Sequence, residues 1–276
     1  MEIYYKEFYN DNANIEVKFE EHITYGLKRV DFFLQMVEKS HPDELNQVIQ
    51  TIRRKLSKAV EIPSLPSIKY DILNKYPDLK MDVINFIVNQ MEIPISSSIN
   101  ELNRVTINVK NYLRSYLFLG YTLAVSLMEI MSKEEAIQFY QAYADRTTIE
   151  TRDSTKYFNQ LAEIHELTLD FQKKFQSHNF INFKIQPGKI GTKTLKCKWY
   201  EVMKELDDPE VSYALCCHSD FEATKNMNSN FVLTRKRTLM QGYECCDFCY
   251  HDTRVIDEVT HPKKEFWDKL EPGNPI

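Results

Sequence analysis

Residues 180–199, FINFKIQPGKIGTKTLKCKW, decide the fold class of this chain, because strand-like alternation begins here after a first part with helical patterns. Polar and apolar side chains alternate over residues 180–186 and again over residues 192–199, which is the period of a half-buried strand. Pro187 and Gly188 separate the two runs and favour a tight turn. We therefore predict an antiparallel hairpin at the start of the C-terminal part.

The residues that follow this hairpin predict a small α+β unit. The expected elements are short helices at Glu201–Leu206 and Asp220–Met227, and strands at Ser212–Cys217, Asn230–Leu239 and Cys245–His251. The last two strands meet around Gln241 and Gly242, where we expect a hairpin turn. From Pro262 onward we expect an extension over the surface.

The residues before the hairpin predict helices, because their apolar side chains recur at helical spacing. The expected helices cover residues 27–37, 45–56, 82–91, 98–131, 132–144 and 151–175, with a linker at Pro63 and Pro66. Ser98 with Glu101, and Ser132 with Glu135, have the spacing of a capping box at the start of a helix.

The length of 276 residues suits one large domain or two modest ones. A hydrophobic content of 43% and a charged content of 27% are ordinary for a globular protein. We predict an α+β fold with two domains. A helical bundle at residues 1–178 is expected to pack on residues 179–276, which form a small antiparallel sheet with helices.

Charge and glycine content exclude several classes of function. The net charge of −5 and the pI near 5.9 predict no nucleic-acid partner. The sequence contains only 6 glycines and neither GxGxxG nor GxxxxGK[ST], which excludes nucleotide binding by those two motifs.

Two features predict a cytoplasmic location without membrane contact. The longest run without a charge, Ser115–Met128, has 14 residues and is too short to span a bilayer. The first residues, MEIYYKEFYNDN, lack the basic and apolar regions of a secretory signal. Six cysteines without such a signal indicate a reducing compartment, where thiols serve metal binding or catalysis. The expected partner is a small-molecule substrate, and a homo-oligomer is left open.

Five of the six cysteines lie in two short stretches, CCHSD at residues 216–220 and TRKRTLMQGYECCDFCY at residues 234–250. The same stretches hold two aspartates and the basic run Arg235-Lys236-Arg237. Thiols, acids and cations gathered within about 35 residues indicate a chemical site.

Together with Cys197 in KCKWYEVMKEL, these stretches resemble the L-2-amino-thiazoline-4-carboxylic acid hydrolase family. The family pattern has a cysteine at a strand end, a C-x-x-D, and a hairpin ending R-T-x-T-L-x-x-G-D-x-x-C-D-F. The resemblance is specific over residues 192–250, where Tyr243 replaces the usual acid and Cys249 adds a C-x-x-C. More distantly, the hairpin resembles 4-vinyl reductase-type domains, which bind a structural zinc through cysteines and an acid.

The resemblance implies a hydrolase that acts on carbon–nitrogen bonds other than peptide bonds, in a cyclic amidine. The implied substrate is thiazoline-like and derived from cysteine, and no organic cofactor is implied. Cys217 is the candidate catalytic cysteine, which as a thiolate would attack the amidine carbon. Asp220 would transfer the proton or activate a water. Cys197 and Cys246 are expected to line the same pocket and complete the catalytic set.

Three further residues are candidates for substrate binding. Arg235 can clamp a substrate carboxylate with two hydrogen bonds, and its neighbour Arg237 fits a solvated basic face equally well. Asp247 either orients a polar partner or is a buried structural acid. His218 lies beside Cys217 and can also be a surface histidine. A buried strand cysteine is the alternative for Cys217 itself, since free cysteines are often buried.

Two other functions stay open at this point. The chain can be a sensor or binding domain in which Cys197, Cys217 and Cys246 hold a structural zinc. It can also be a biosynthetic enzyme of the same fold that acts on another thiol-derived amino acid. A chelating Cys246-x-x-Cys249 is disfavoured, because residues three apart on a strand point to opposite faces.

Overall fold

The computed structural model describes residues 3–56, 70–93, 104–150 and 157–271. The fold class is α+β, as the sequence predicts. In chain order the described elements are β1 (Ile3–Glu7), β2 (Asn14–Lys18), α1 (Phe19–Ser40), α2 (Leu45–Leu56), α3 (Pro77–Met91), β3 (Arg104–Asn108), α4 (Val109–Leu127), α5 (Lys133–Glu150), α6 (Ala162–Phe175), β4 (His178–Gln186), β5 (Lys189–Cys197), α7 (Lys198–Met203), α8 (Pro209–Cys216), α9 (Asp220–Met227), β6 (Phe231–Thr234), β7 (Cys246–Asp252) and α10 (Lys264–Asp268).

The chain divides into two compact units, residues 14–143 and residues 1–13 with 144–276. This division differs from the expected boundary after residue 178. Helix α6 belongs to the second unit, and so does β1, which pairs antiparallel with β4. This pairing joins strands that are far apart in the chain, and local sequence patterns do not predict it.

The first unit is built on α1–α4, with β2 and β3 as a separate antiparallel pair. The apolar stripe predicted on α1 is confirmed: Val30, Phe33, Leu34 and Val37 are completely buried, and Leu27 is 3% exposed. Burial of each such side chain contributes roughly 1.5–3 kcal/mol. Within the described ranges, every helix is too short or too polar to cross a membrane.

Two predicted helix starts have different outcomes. Ser132 and Glu135 form the expected capping box: Ser132 N donates to Glu135 Oε2 at 2.9 Å, and Glu135 N donates to Ser132 Oγ at 3.3 Å. The expected box at Ser98 and Glu101 lies outside the described residues, as do Pro63 and Pro66. Residues 104–108, predicted as helix, form β3 instead.

Helix α4 therefore begins later than predicted. Asn108 is its N-cap, and the Asn108 side chain accepts a hydrogen bond from Lys110 N at 2.8 Å. Its last helical residue is Leu127 rather than Met131. In the helix predicted over residues 151–175, residues 151–156 lie outside the described part, residues 157–161 are not helical, and α6 starts at Ala162.

The second unit contains a five-stranded antiparallel sheet with the order β1-β4-β5-β7-β6. The predicted hairpin is confirmed as β4 and β5, joined at Pro187 and Gly188. Gly188 has φ +72°, and a Cβ built there would lie 2.7 Å from Val255 Cβ. Glycine is therefore required both for the positive φ and for the close approach.

Residues 212–217, predicted as a strand, are helical instead and belong mainly to α8. Asp208 is the N-cap and accepts a hydrogen bond from Val211 N at 3.3 Å, and Pro209 occupies the first turn. An acidic cap followed by proline is a helix-start pattern. It outweighs the short apolar run of this segment, which fits a strand and a buried helix equally well.

The C-terminal stretch also differs from the prediction, because it packs into the core and does not extend over the surface. Trp267 of α10 is completely buried in a cluster with Ile181, Phe183 and Cys249. The Lys193 ammonium donates to the Trp267 carbonyl at 2.8 Å. The single turn of α10 is too short to show an apolar period, which explains why the sequence predicted a surface extension.

Candidate active site

A cavity of about 290 Å³ opens in the second unit, where the end of β5, the start of β7 and helices α6–α9 meet. This volume suits a small molecule. Its lining residues are Phe171, His178, Thr194, Cys197, Trp199, Tyr200, Cys216, Cys217, Asp220, Leu239, Met240, Cys246 and Phe248.

All four residues predicted as catalytic line this cavity. Cys197 is the last residue of β5 and Cys246 is the first of β7, which pairs with β5 through Thr194 and Cys246. Cys217 caps the C-terminus of α8, and Asp220 is the first residue of α9. Strand register and the tight link between the two helices thus bring these three predicted thiols and one acid together, with Cys216 at the end of α8 as a fourth thiol of the lining.

Asp220 forms an ion pair with Arg235, with 2.5 Å between Asp220 Oδ2 and Arg235 Nη1. The Arg235 side chain is only 1% exposed, whereas that of Asp220 is 38% exposed. Arg235 Nη2 also donates to the Cys217 carbonyl at 2.7 Å and to the Tyr213 hydroxyl at 3.3 Å. Because Nη1 and Nη2 both bind protein groups and the side chain is buried, Arg235 positions the acid of the site. Its contacts do not support the clamp on substrate expected of it.

Three aromatic rings surround the Arg235 guanidinium, at 5.6 Å for Tyr213, 5.1 Å for Phe221 and 4.9 Å for Phe248. Cation–π contacts of this kind stabilise a buried guanidinium. The strand predicted at Asn230–Leu239 is shorter than expected, because β6 ends at Thr234 and residues 235–238, which include Arg235, are irregular.

Burial disfavours the ionised form of three of the cavity thiols. Burial raises the pKa of Cys217 well above its ordinary value; Asp220 and Cys216 add to this, and Arg235 opposes it. Burial raises the pKa of Cys197 to about 12. The pKa of Cys246 is raised as well, chiefly by burial, although its Sγ accepts a hydrogen bond from Leu239 N at 3.2 Å. In all three groups burial thus favours the neutral thiol over the thiolate.

Asp220 is the ionisable acid of the cavity. Burial raises its pKa above the usual 3.8, and the Arg235 charge opposes that shift. An acid with a raised pKa at a cavity wall is suited to accept and return protons near neutral pH.

Asp247 lies outside the cavity wall and is almost completely buried. It accepts hydrogen bonds at 2.8 Å from the backbone N–H groups of Lys236 and Arg237 and at 3.0 Å from Arg237 Nε. Burial alone would raise its pKa, but the bonds from His261, Arg237 and Lys236 bring the pKa below its usual value. These contacts give Asp247 a structural role, in which its carboxylate binds the 235–238 segment to β7.

Two histidines, the predicted candidate His218 and His165 of α6, also lie away from the lining. His218 Nε2 lies 3.1 Å from Asp145 Oδ2. His165 Nε2 lies 3.2 Å from the Gly191 carbonyl, and burial lowers the pKa of His165 to about 4. Neither ring contributes to the cavity wall.

The sequence did not identify the aromatic wall of the cavity. The His178 ring stacks on Trp199 with 5.1 Å between centroids, and Phe171 contacts Trp199 at 5.7 Å. The sequence places Phe171 only within the helix predicted over residues 151–175, and Trp199 only at the end of the strand predicted over residues 192–199. The position of Trp199 two residues after Cys197 is the one available indication.

No disulfide joins the six cysteines, all of which lie in the described part of the chain. Among residues 3–56, 70–93, 104–150 and 157–271, no three His, Cys, Asp or Glu side chains form a group that could hold a metal ion. The expected opposite orientation of Cys246 and Cys249 is confirmed. Cys246 faces the cavity, and Cys249 is buried in the Trp267 cluster.

A match to a protein-family model covers all four cavity residues predicted as catalytic. A family model described as L-2-amino-thiazoline-4-carboxylic acid hydrolase matches residues 111–250, about half of the chain. No curated protein and no solved structure matches the chain.

Proposed function

This chain belongs to the L-2-amino-thiazoline-4-carboxylic acid hydrolase family, and we propose on that basis that it hydrolyses a small cyclic amidine of the thiazoline type. The proposed substrate is derived from cysteine and carries a carboxylate. The cavity of about 290 Å³ is large enough for a single five-membered ring with its substituents. No organic cofactor is part of the proposal.

The observation that carries this proposal is the Asp220–Arg235 pair beside Cys217. The acid is open to the cavity, whereas its cationic partner is buried behind it. Hydrolysis of an amidine needs a base that takes a proton from the nucleophile and returns it to the leaving group. A carboxylate fixed by a buried guanidinium meets that need.

In the proposed reaction, Asp220 removes a proton from water, whose oxygen adds to the amidine carbon between ring nitrogen and ring sulfur. The proton is returned to the atom that leaves this carbon, and the ring opens to a carbamoyl-cysteine-like product. The net change is the consumption of one water. Breaking the bond to sulfur frees a thiol, and breaking the bond to nitrogen frees an amine.

The Cys217 thiol is the other nucleophile that the cavity offers. It would add to the amidine carbon, and water would then release the product from the covalent intermediate. Because the pKa of this thiol is raised, the thiolate that such an attack requires is disfavoured in the resting site. This favours activated water as the nucleophile, with Cys217, Cys197 and Cys246 shaping the pocket.

The direct test is incubation of the purified protein with 2-amino-2-thiazoline-4-carboxylate. We expect a product heavier than the substrate by one water, detected by mass spectrometry, and a thiol reagent will show which bond has opened. Asp220→Asn should abolish the product, and Glu222→Gln on the same helix should not. If the wild type binds the compound without opening it, the chain is a binding domain and the proposal fails.

A further inference from the structure

His178 lines the same cavity, although nothing in the proposed reaction uses it. It is the first residue of β4 and pairs with Cys197 of β5. Its ring stacks on Trp199 with an interplanar angle of 26°. The position of the imidazole is thus fixed by strand pairing and by an aromatic neighbour.

Gln172 determines which ring nitrogen of His178 carries the proton. Gln172 Oε1 accepts hydrogen bonds from Ser177 N at 3.1 Å and from His178 N at 2.8 Å. Since two backbone donors point at this oxygen, the amide nitrogen must be the atom at the other position. That nitrogen donates to His178 Nδ1 at 2.8 Å.

Nδ1 of His178 is therefore an acceptor, and a neutral imidazole that accepts at one nitrogen is a donor at the other. Burial lowers the pKa of His178 to about 4, and the charge of Lys198 adds to the effect. The ring is neutral at physiological pH, with its proton on Nε2. In the described part of the chain, no protein group is hydrogen-bonded to Nε2.

The cavity needs such a donor if it is to take an anionic ligand. None of its described lining residues is a lysine or an arginine, and Asp220 contributes a negative charge. The buried Arg235 is already occupied by Asp220 and Cys217. A ligand carboxylate must therefore be bound by uncharged donors.

We propose that the Nε2–H of His178 donates a hydrogen bond to the carboxylate of the bound ligand and so helps to select a carboxylated ring. The identity of the ligand ring rests on the proposed function. The tautomer of His178 and its available Nε2–H donor do not depend on that function. His178 is thus a substrate-binding residue, and Gln172 is the positioning residue that sets its tautomer.

The first measurement is long-range ¹⁵N NMR on the wild type at neutral pH. We expect the His178 signals of a neutral ring protonated at Nε2. A ring protonated at Nδ1, or a charged ring, would overturn the inference irrespective of any activity.

The second measurement compares binding of two ligands by calorimetry, 2-amino-2-thiazoline-4-carboxylate and 2-amino-2-thiazoline, which lacks the carboxylate. His178→Phe keeps the stacking on Trp199 and removes the donor. We expect it to weaken binding of the carboxylate about tenfold or more, with little effect on the other ligand. His178→Gln, which retains a donor, should recover part of the loss.

His165→Phe is the matched control, because His165 is also buried but its Nε2 meets the Gly191 carbonyl. It should leave the ratio of the two affinities unchanged. If His178→Phe weakens both ligands equally, the histidine is only structural and the inference is wrong. Failure of the wild type to open either ring, with carboxylate-selective binding intact, would refute the proposed function alone.

Discussion

Arg235 Nη1 lies 2.5 Å from Asp220 Oδ2, and the two side chains differ sharply in exposure, at 1% and 38%. The guanidinium also donates to the carbonyl of Cys217. One buried cation therefore fixes both the acid and the backbone of the neighbouring cysteine. The geometry of the proposed reactive groups depends on this contact between the end of β6 and the start of α9.

Asp220→Asn should lower the rate of ring opening by about 10²–10⁴-fold, because it removes the group that transfers the proton. The amide keeps the shape of the side chain, so the fold should persist. Steady-state kinetics with the thiazoline carboxylate measure the effect, and Glu222→Gln serves as the control on the same helix. A variant with wild-type kcat would exclude Asp220 as the base.

Arg235→Met should shift the acid limb of the pH–rate profile to higher pH. The Arg235 charge lowers the pKa of Asp220, so its removal raises that pKa and protonates the base earlier as pH falls. Loss of the pair should also destabilise the fold by about 2 kcal/mol, a value reduced for the partial exposure of Asp220. Lys236→Met, at an exposed neighbour, should change neither quantity, and an unshifted limb in Arg235→Met would contradict the assignment.

Cys217→Ser should keep activity within about tenfold of wild type if activated water is the nucleophile. The supporting measurement is alkylation of the wild type by iodoacetamide at increasing pH. Because the pKa of Cys217 is raised, its modification should accelerate throughout the neutral range without reaching a plateau. Complete loss of activity in Cys217→Ser, with a trapped covalent intermediate in the wild type, would identify the thiol as the nucleophile.

Asp247→Asn should destabilise the protein at neutral pH by about 1–3 kcal/mol, because Arg237 loses its buried partner. The pKa of Asp247 is lowered in the folded state. Its stabilisation is therefore present above the unfolded pKa of about 4 and is lost as pH falls through the lower folded pKa. Urea unfolding at neutral and acidic pH should show a weaker acid dependence in the variant, while the exposed control Asp257→Asn behaves as wild type.

Trp267→Ala should cost about 3–5 kcal/mol of unfolding free energy, since it empties a completely buried site. The ring contacts Phe183 of β4 at 5.5 Å between centroids. Denaturant unfolding measures the loss, and Lys269→Ala, which is exposed, is the control. A change below about 1 kcal/mol would show that α10 does not stabilise the sheet.

Three features were predicted correctly from the sequence for the same reason: the hairpin of β4 and β5, the apolar stripe of α1, and the capping box of Ser132 and Glu135. In each case the structure follows from side chains that lie within one or two turns, or one strand, of each other. The sequence also identified four residues of the cavity, through its resemblance to one family: Cys197, Cys217, Asp220 and Cys246.

Contacts between side chains of separate helices and strands were decided only by the tertiary structure. The pairing of Arg235 with Asp220 depends on where β6 ends relative to α9, and the Gln172–His178 contact depends on how α6 meets β4. Likewise, Trp267 enters the core because β4 and β7 leave space for it. Local periodicity fixes the direction in which a side chain points, but strand register and helix placement decide what it meets there.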